Sequence, residues 1–414
     1  MNETQSASDY SQPINCLFNA ESVKPPLTGI GRYTWELMAA LNKNSDVSSI
    51  GCFTGTNVVG YSPVSVSLSE QSASVSTEAS GEHPNQAPAI KALVKRALPL
   101  IKATVRAIPG TYQLRSRWLN RTFKRLAKSG WGIYHEPNFI LKPFSGLCVT
   151  TIHDLSFIHY PQYHPRERVE WLTRELPKTL KRADAIITDS QLVKAELIAH
   201  FAVPEEKITP IYLAANTEFK PRPLEQLAQV MKHHQLDVGK YVLCVCTIEP
   251  RKGIDSLLNA WEKLPKDQRN EHQLVLVGAT GWQNRNLLAR IKKLQKKGEV
   301  RYLSFVSQQD LPFIYNGAKA FVYPSIYEGF GLPVLEAMQS GIATVCREGT
   351  SCAEFSGDGA LTFDTDESLA DIIYQLLDNE DFRASLSIQG LERSKSFSWK
   401  KCADETLSVY NSIL

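Results

Sequence analysis

The chain has 414 residues, 43% hydrophobic and 21% charged, which fits a globular protein of two or three domains whose core needs no disulfide or metal. No run of about 18 apolar residues occurs, which excludes a membrane-spanning helix. The formal net charge of +3 excludes little by itself, no nucleic-acid partner is expected, and the distribution of charge is more informative.

The opening MNETQSASDYSQP is polar, carries an acid and lacks an apolar h-region, so no secretory signal is read there. Residues 1–12 are expected to form a disordered leader. INCLFNA reads as a strand. After paired prolines, TGIGRYTWELMAALNK reads as a glycine turn opening an amphipathic helix. Residues 62–88 are rich in Ser, Glu, Gln and Pro and predict a flexible loop.

Residues 91–128 hold eleven Lys or Arg, from Lys91 to Lys128, and no Asp or Glu, so the rest of the chain is net negative. Ile90, Leu93, Val94, Ala97, Ile101 and Val105 recur near helical spacing, with Pro99 expected to kink the helix. A basic amphipathic stretch suits an anionic membrane surface; a solvated helix face is the plainer reading.

Residues 132–220 alternate strand and helix: GIYHEP, LCVTTIHDL, a helix near 165–182, AIITDS and a helix near 191–201. TEFKPRPLEQL reads as a linker. A second alternating block follows, with strands YVLCVCT, LVLVG, VRYLSFV, AFVYPS and IATVC. The expected organisation is an N-terminal Rossmann-like domain over 13–220 carrying the 62–128 insert. A second Rossmann-like domain spans 221–390, and a C-terminal helix over 391–414 crosses back to the first. In two such doubly wound domains facing across a cleft, ligands bind beyond the carboxyl ends of the strands. The eight cysteines show no C-x-x-C pair or metal-ligand spacing and fall mostly in apolar stretches, so reduced buried thiols and a cytoplasmic setting are expected.

Four short segments carry candidate chemistry. In EPRKG, Arg251 and Lys252 follow a buried strand and precede a helix, which suits a diphosphate bound without a metal; a pair of surface charges is the alternative. In EGFGLPVLE, Glu328 and Glu336 lie eight residues apart around Gly329 and Gly331, and Pro333 fits a first helical turn. Glu336 would then sit where a carboxylate can accept bonds from ribose hydroxyls, or be a plain helix glutamate. In TGIGRYT, Gly29 and Gly31 are followed by Thr34 in place of a third glycine, so the reading is a backbone loop near a phosphate or simply a tight turn. In TIHDLSF, His153 and Asp154 end a strand expected to be buried and are read as pointing into the cleft, where His can bond a hydroxyl, with a satisfied structural histidine as the alternative; His135 is a second, weaker candidate. Asp366 of DTD is expected to cap a helix, and no metal site is expected.

Together these segments resemble the retaining family-four glycosyltransferases of GT-B fold, over nearly the whole chain. The strongest element is the Glu-x7-Glu signature inside YPSIYEGFGLPVLEAMQSG; EPRKG, LVLVGATGW and SFVSQQDL stand in the family's order. TGIGRYT and TIHDLSF look most like bacterial mannosyltransferases of O-polysaccharide assembly. The resemblance implies that Arg251 and Lys252 hold a donor diphosphate and that Glu336 binds the ribose. Glu328, with the backbone of Gly329, Phe330, Gly331 and Leu332, would hold the sugar and its phosphate. Thr247 would line the donor site, Phe305 and Val306 would border the base, and Gly29 and Gly31 would approach the phosphate from the other domain. His153 would contact a donor hydroxyl.

The implied reaction moves a hexose, with GDP-mannose the leading donor and GDP-rhamnose an alternative, onto a lipid-linked glycan of O-antigen or another surface polysaccharide. No metal cofactor is expected, and the inner face of the cytoplasmic membrane is the expected place of work. A non-catalytic scaffold and a nucleotide-dependent dehydrogenase are the competing readings. Two departures stand out: Cys246 replaces a usual glycine before Thr247, and Ala353-Glu354-Phe355 replaces P-E-V, which puts the role of Glu354 in doubt.

Overall fold

The structure is a computed structural model that describes residues 13–24, 27–62, 111–127, 130–281 and 284–414. The leader, nearly all of the 62–88 loop and the basic stretch up to residue 110, with its Pro99 kink, lie outside the described residues. The chain forms two compact units. One takes the chain up to Thr151, then Arg166–Ile186 and Thr406–Leu414; the other takes Ile152–Pro165 and Ile187–Glu405.

In the first unit, β1 (Ile14–Asn19), β2 (Val47–Phe53), β3 (Val58–Gly60), β4 (Ile133–Glu136), β5 (Leu147–Ile152) and β6 (Ala185–Thr188) lie in the order β3-β2-β1-β4-β5-β6. β1 runs parallel to β2 and β4, β4 runs parallel to β5, and β3 is antiparallel to β2. β1 (INCLFN) and β4 (IYHE) are buried along nearly their whole length, and β4 takes His135 and Glu136 into the interior with Ile133 and Tyr134. Helix α1 (Gly29–Leu41) starts where Thr28 accepts a hydrogen bond from Gly31 N and buries Tyr33, Leu37, Met38 and Leu41 along one stripe.

Gly29 and Gly31 thus belong to the first turn of a helix, in line with the reading of a turn at a helix start and not with that of a loop near a phosphate. Helix α2 (Thr111–Leu126), beyond the stretch whose periodicity reads as helical, buries Leu119 and Phe123, with Phe123 edge-on to Phe53 at 5.0 Å. Helix α3 (Arg166–Arg182) buries Leu172, Leu176 and Leu180 at helical spacing.

The second unit contains helix α4 (Gln191–Phe201), the short strand β7 (Ile208–Pro210) and a six-stranded sheet. The sheet is built from β8 (Tyr241–Val245), β9 (Gln273–Val277), β10 (Val300–Leu303), β11 (Ala320–Tyr323), β12 (Thr344–Arg347) and β13 (Leu361–Phe363). Its order is β10-β9-β8-β11-β12-β13, with every pair parallel. The direction of winding reverses between β8 and β11, so the loops leaving those two strands border the crevice where such sheets take ligands.

Helices α5 (Ile254–Lys263) and α6 (Leu332–Gln339) follow these loops; Pro333 stands in the first turn of α6 as its fixed φ allows. The last helix, α7 (Trp399–Ile413), places Tyr410 in the first unit, where its hydroxyl meets His135 Nδ1 at 2.6 Å. All eight cysteines are buried and none forms a disulfide, as expected.

One local reading is corrected. The cap of the helix at 366–378 is Thr365, in a reciprocal box with Ser368, and Asp366 is the first helical residue, accepting from Asn259 Nδ2 at 2.7 Å.

Trp261 is fully buried in α5. Trp261→Ala is expected to cost about 3–5 kcal/mol, read as a lower urea midpoint for the second unit.

Candidate functional site

The site begins with two loops at the winding reversal. After β8 the chain makes a one-turn 3₁₀ helix over Pro250–Lys252 and then turns into α5 through Gly253. After β11, residues Pro324–Gly331 lead into α6. Arg251 Nη1 donates to the Tyr327 carbonyl at 2.6 Å and reaches Glu328 Oε2 at 3.5 Å, while Nη2 donates to Glu249 Oε1 at 3.2 Å. Lys252 Nζ donates to Glu328 Oε1, which also accepts from Ser325 Oγ at 2.6 Å and Tyr323 Oη at 2.9 Å.

Three sequence-predicted residues, Arg251, Lys252 and Glu328, therefore form one cluster. Each side chain is only 11–13% exposed. Burial alone would raise the Glu328 carboxyl, but the Lys252 and Arg251 cations and the bonds from Lys252 and Ser325 hold it at about 2. Arg251, penalised by burial, is driven above its ordinary range by Glu328, Asp154 and Glu249.

His153 stands against the same loop. A Cβ on Gly329 would lie 1.7 Å from the His153 carbonyl oxygen, so only glycine lets the two backbones meet. Leu155 N donates to Tyr327 Oη at 2.8 Å, and Tyr327 Oη donates to Glu196 Oε2 at 2.6 Å, pinning the chain after His153 to the chain before Glu328. The His153 ring meets Asp189 Oδ2 through Nδ1 at 2.7 Å. Asp154, the other member of the pair read from sequence, accepts from Ser156 N at 2.9 Å and holds a short turn.

Glu336 lies in α6, buried, and accepts from Tyr315 Oη at 3.0 Å. Gly331 opens α6 at φ +109°, and Phe330 stacks on Phe355 at 4.3 Å, while Leu332 is half-buried. Thr247 is exposed just beyond β8. Phe305, 82% exposed, and Val306, buried, follow β10, which β9 separates from β8. They stand two strands from the charged cluster.

Gly29 and Gly31 lie in the first unit; a Cβ on Gly31 would come within 2.4 Å of the Ser22 carbonyl, which explains that glycine by packing. His135 is fully buried between Tyr410 and Thr151 Oγ1, a structural role. Glu354 is also accounted for. Its carboxylate accepts from Gln191 N and Leu192 N, both at 2.8 Å, and from Tyr212 Oη at 2.8 Å, so it caps α4.

Sequence reasoning missed Asp189, Tyr327 and Glu196. It also missed a half-exposed group, His233, His234 and Asp310, whose ligand atoms lie within 4.8 Å of one another. Chain spacing gave no signal for any of them.

Removing the carboxylate would leave two buried cations with less compensation. Glu328→Gln is expected to destabilise the second unit by about 3–5 kcal/mol. Because the folded carboxyl sits at about 2 against an ordinary 4.5, this stabilisation is complete above pH 4.5 and is lost as pH falls toward 2. Urea denaturation of both proteins across that range should show the gap closing.

Comparison with known proteins follows the same lines. Residues 27–219 match the family described as Glycosyltransferase Family 4, and residues 229–393 match Glycosyl transferases group 1. The chain is 34% identical over 399 residues to O-antigen chain mannosyltransferase B of Escherichia coli, covering 96% of this chain and 99% of that protein. It is 28% identical over 240 residues to the serotype-specific mannosyltransferase WbdA of Escherichia coli, covering 56% of this chain and 29% of that protein.

Among solved structures, WaaG, a glycosyltransferase involved in lipopolysaccharide biosynthesis, aligns over 95% of this chain and 99% of its own, with a TM-score of 0.68 at 13% identity. Sucrose-phosphate synthase from Thermosynechococcus elongatus aligns over 97% and 99%, with a TM-score of 0.70 at 20% identity. At these identities the two structures speak for the fold. Two parallel-sheet domains, the paired family matches and identity along nearly the full length lead to one conclusion: this chain belongs to the family-four, group 1 glycosyltransferases of GT-B fold.

Proposed function

We propose that the protein transfers mannose from GDP-mannose to a hydroxyl of a lipid-linked glycan in O-antigen assembly, with retention at the anomeric carbon. The observation that carries this reading is the Arg251–Lys252–Glu328 cluster at the winding reversal of the second sheet. The relatives, O-antigen chain mannosyltransferases among them, favour mannose and O-antigen. GDP-6-deoxyhexose donors such as GDP-rhamnose, and a scaffold with no activity, are alternative outcomes of a donor screen.

In the reaction the bond from the anomeric carbon to the diphosphate oxygen breaks and a bond to the acceptor oxygen forms. The acceptor's proton goes to the leaving diphosphate. The barrier lies in separating that leaving group from an oxocarbenium-like centre. Arg251 and Lys252 are held by other protein groups before any donor arrives, so little reorganisation accompanies charge development. In this reading Glu328 and the backbone from Gly329 to Leu332 orient the sugar, Glu336 takes the ribose, Thr247 lines the site, Phe305 and Val306 border the base, and His153 meets a donor hydroxyl. The two cations do the work that a divalent ion does elsewhere.

A second reading concerns location. Leu114 and Trp118, one helical turn apart in α2, are 66% and 54% exposed. Arg115, Arg117 and Arg121 surround them on the exposed side. An exposed Trp–Leu pair framed by arginines suits the headgroup region of an anionic bilayer, where a lipid-linked acceptor would be met. Among the described residues no helix is long and apolar enough to cross a membrane, so attachment would be peripheral.

Arg251→Ala is expected to lower kcat by about 10²–10³-fold with GDP-mannose, and wild-type turnover should survive EDTA; strict dependence on a divalent ion would remove the proposed role of the cations. Sedimentation with phosphatidylglycerol vesicles should weaken at high salt and in Trp118→Ala, with no binding to phosphatidylcholine. Salt-insensitive or absent binding counts against the surface reading.

A further inference from the structure

Asp189 follows directly on β6 and is 3% exposed. One of its oxygens meets His153 Nδ1 at 2.7 Å, and the other, Oδ1, is buried without a hydrogen-bond partner. Burial pushes its carboxyl up, and the imidazole opposes that shift. A buried carboxylate oxygen without a protein partner is costly, and an apolar residue there would avoid the cost. The arrangement makes sense when the carboxylate acts on the ring it touches.

Both ends of the contact are anchored. Ser190, the next residue, caps α4 by accepting from Val193 N at 3.2 Å, and Glu354 holds Gln191 N and Leu192 N at 2.8 Å. On the other side, the His153 carbonyl rests on Gly329, and Leu155 N is held by Tyr327 Oη. The imidazole is therefore fixed between two clamped backbones. An ionised carboxylate only accepts hydrogen bonds, so it sets the proton on Nδ1 and leaves Nε2 as the other chemically active ring position.

We propose that Asp189 is a positioning residue of glycosyl transfer: it holds the proton of His153 on Nδ1 and fixes the orientation of the ring while the donor's diphosphate departs. This inference rests on the reading of His153 as a donor-sugar contact.

The test uses full-length protein with GDP-mannose as donor and GDP as the binding probe. Asp189→Asn should lower kcat by about 10–100-fold, while GDP affinity and melting temperature stay near wild type. The double variant with His153→Ala should be no slower than His153→Ala alone, because the carboxylate acts only through the ring. Selective ¹⁵N-histidine labelling, with the resonance assigned by its loss in His153→Ala, should show the proton on Nδ1 in the wild type.

Three results would overturn the inference: wild-type kcat in Asp189→Asn while His153→Ala is slow, losses that multiply in the double variant, or a ring protonated only on Nε2. A parallel fall of kcat, GDP affinity and melting temperature would reduce Asp189 to a structural role and also overturn it. Wild-type turnover in His153→Ala would instead defeat the reading of His153, a separate failure.

Discussion

Glu328 sits between Lys252 and Arg251 in a place where none of the three is more than 13% exposed. Charges so buried are stable only while each has a partner. The rest of the second unit is arranged to keep them paired. Ser325 and Tyr323 fill the remaining demand of the carboxylate, and the Tyr327 carbonyl and Glu249 fill that of the guanidinium. The result is a set of cations whose positions are set by the protein itself. Fixed charge in a buried site acts more strongly than mobile charge in water.

That cluster exists because of strand order. In a sheet that winds β8 to β10 one way and β11 to β13 the other, the loops after β8 and β11 are the pair left uncovered by crossovers. Arg251 and Glu328 are 77 residues apart and meet only through this order. The same physics explains Gly329. The loop before α6 must lie flat against the backbone at His153, and any side chain would separate them. Tyr327 completes the connection with its carbonyl on Arg251 and its hydroxyl on Leu155 and Glu196.

Several features that sequence alone made ambiguous are given ordinary structural work. Glu354, flanked by Ala353 and Phe355 where the family has P and V, ties down the start of α4 with both oxygens. His135 is part of a buried hydrogen-bond chain with Tyr410 and Thr151, and Thr151 continues it to Tyr33 at 2.9 Å. Gly31 is explained by the Ser22 carbonyl beside it. A polar residue at a strand end can face a ligand or complete the core, and local pattern does not tell the two apart.

The sequence by itself determined the alternation of buried strands and helices, the helix starts at Pro333 and near Thr28, and the placement of Arg251, Lys252, Glu328 and His153 at strand ends. Those follow from periodicity, turn chemistry and capping, which act over a few residues. Tertiary structure decided which strand ends are neighbours, and so which charges pair. It gave His153 its partner Asp189, 36 residues away, put Thr365 rather than Asp366 in the cap, and set Phe305 and Val306 two strands from the charged cluster. The reason is that strand order and side-chain pairing are fixed by long-range burial, which leaves no periodic trace in the chain.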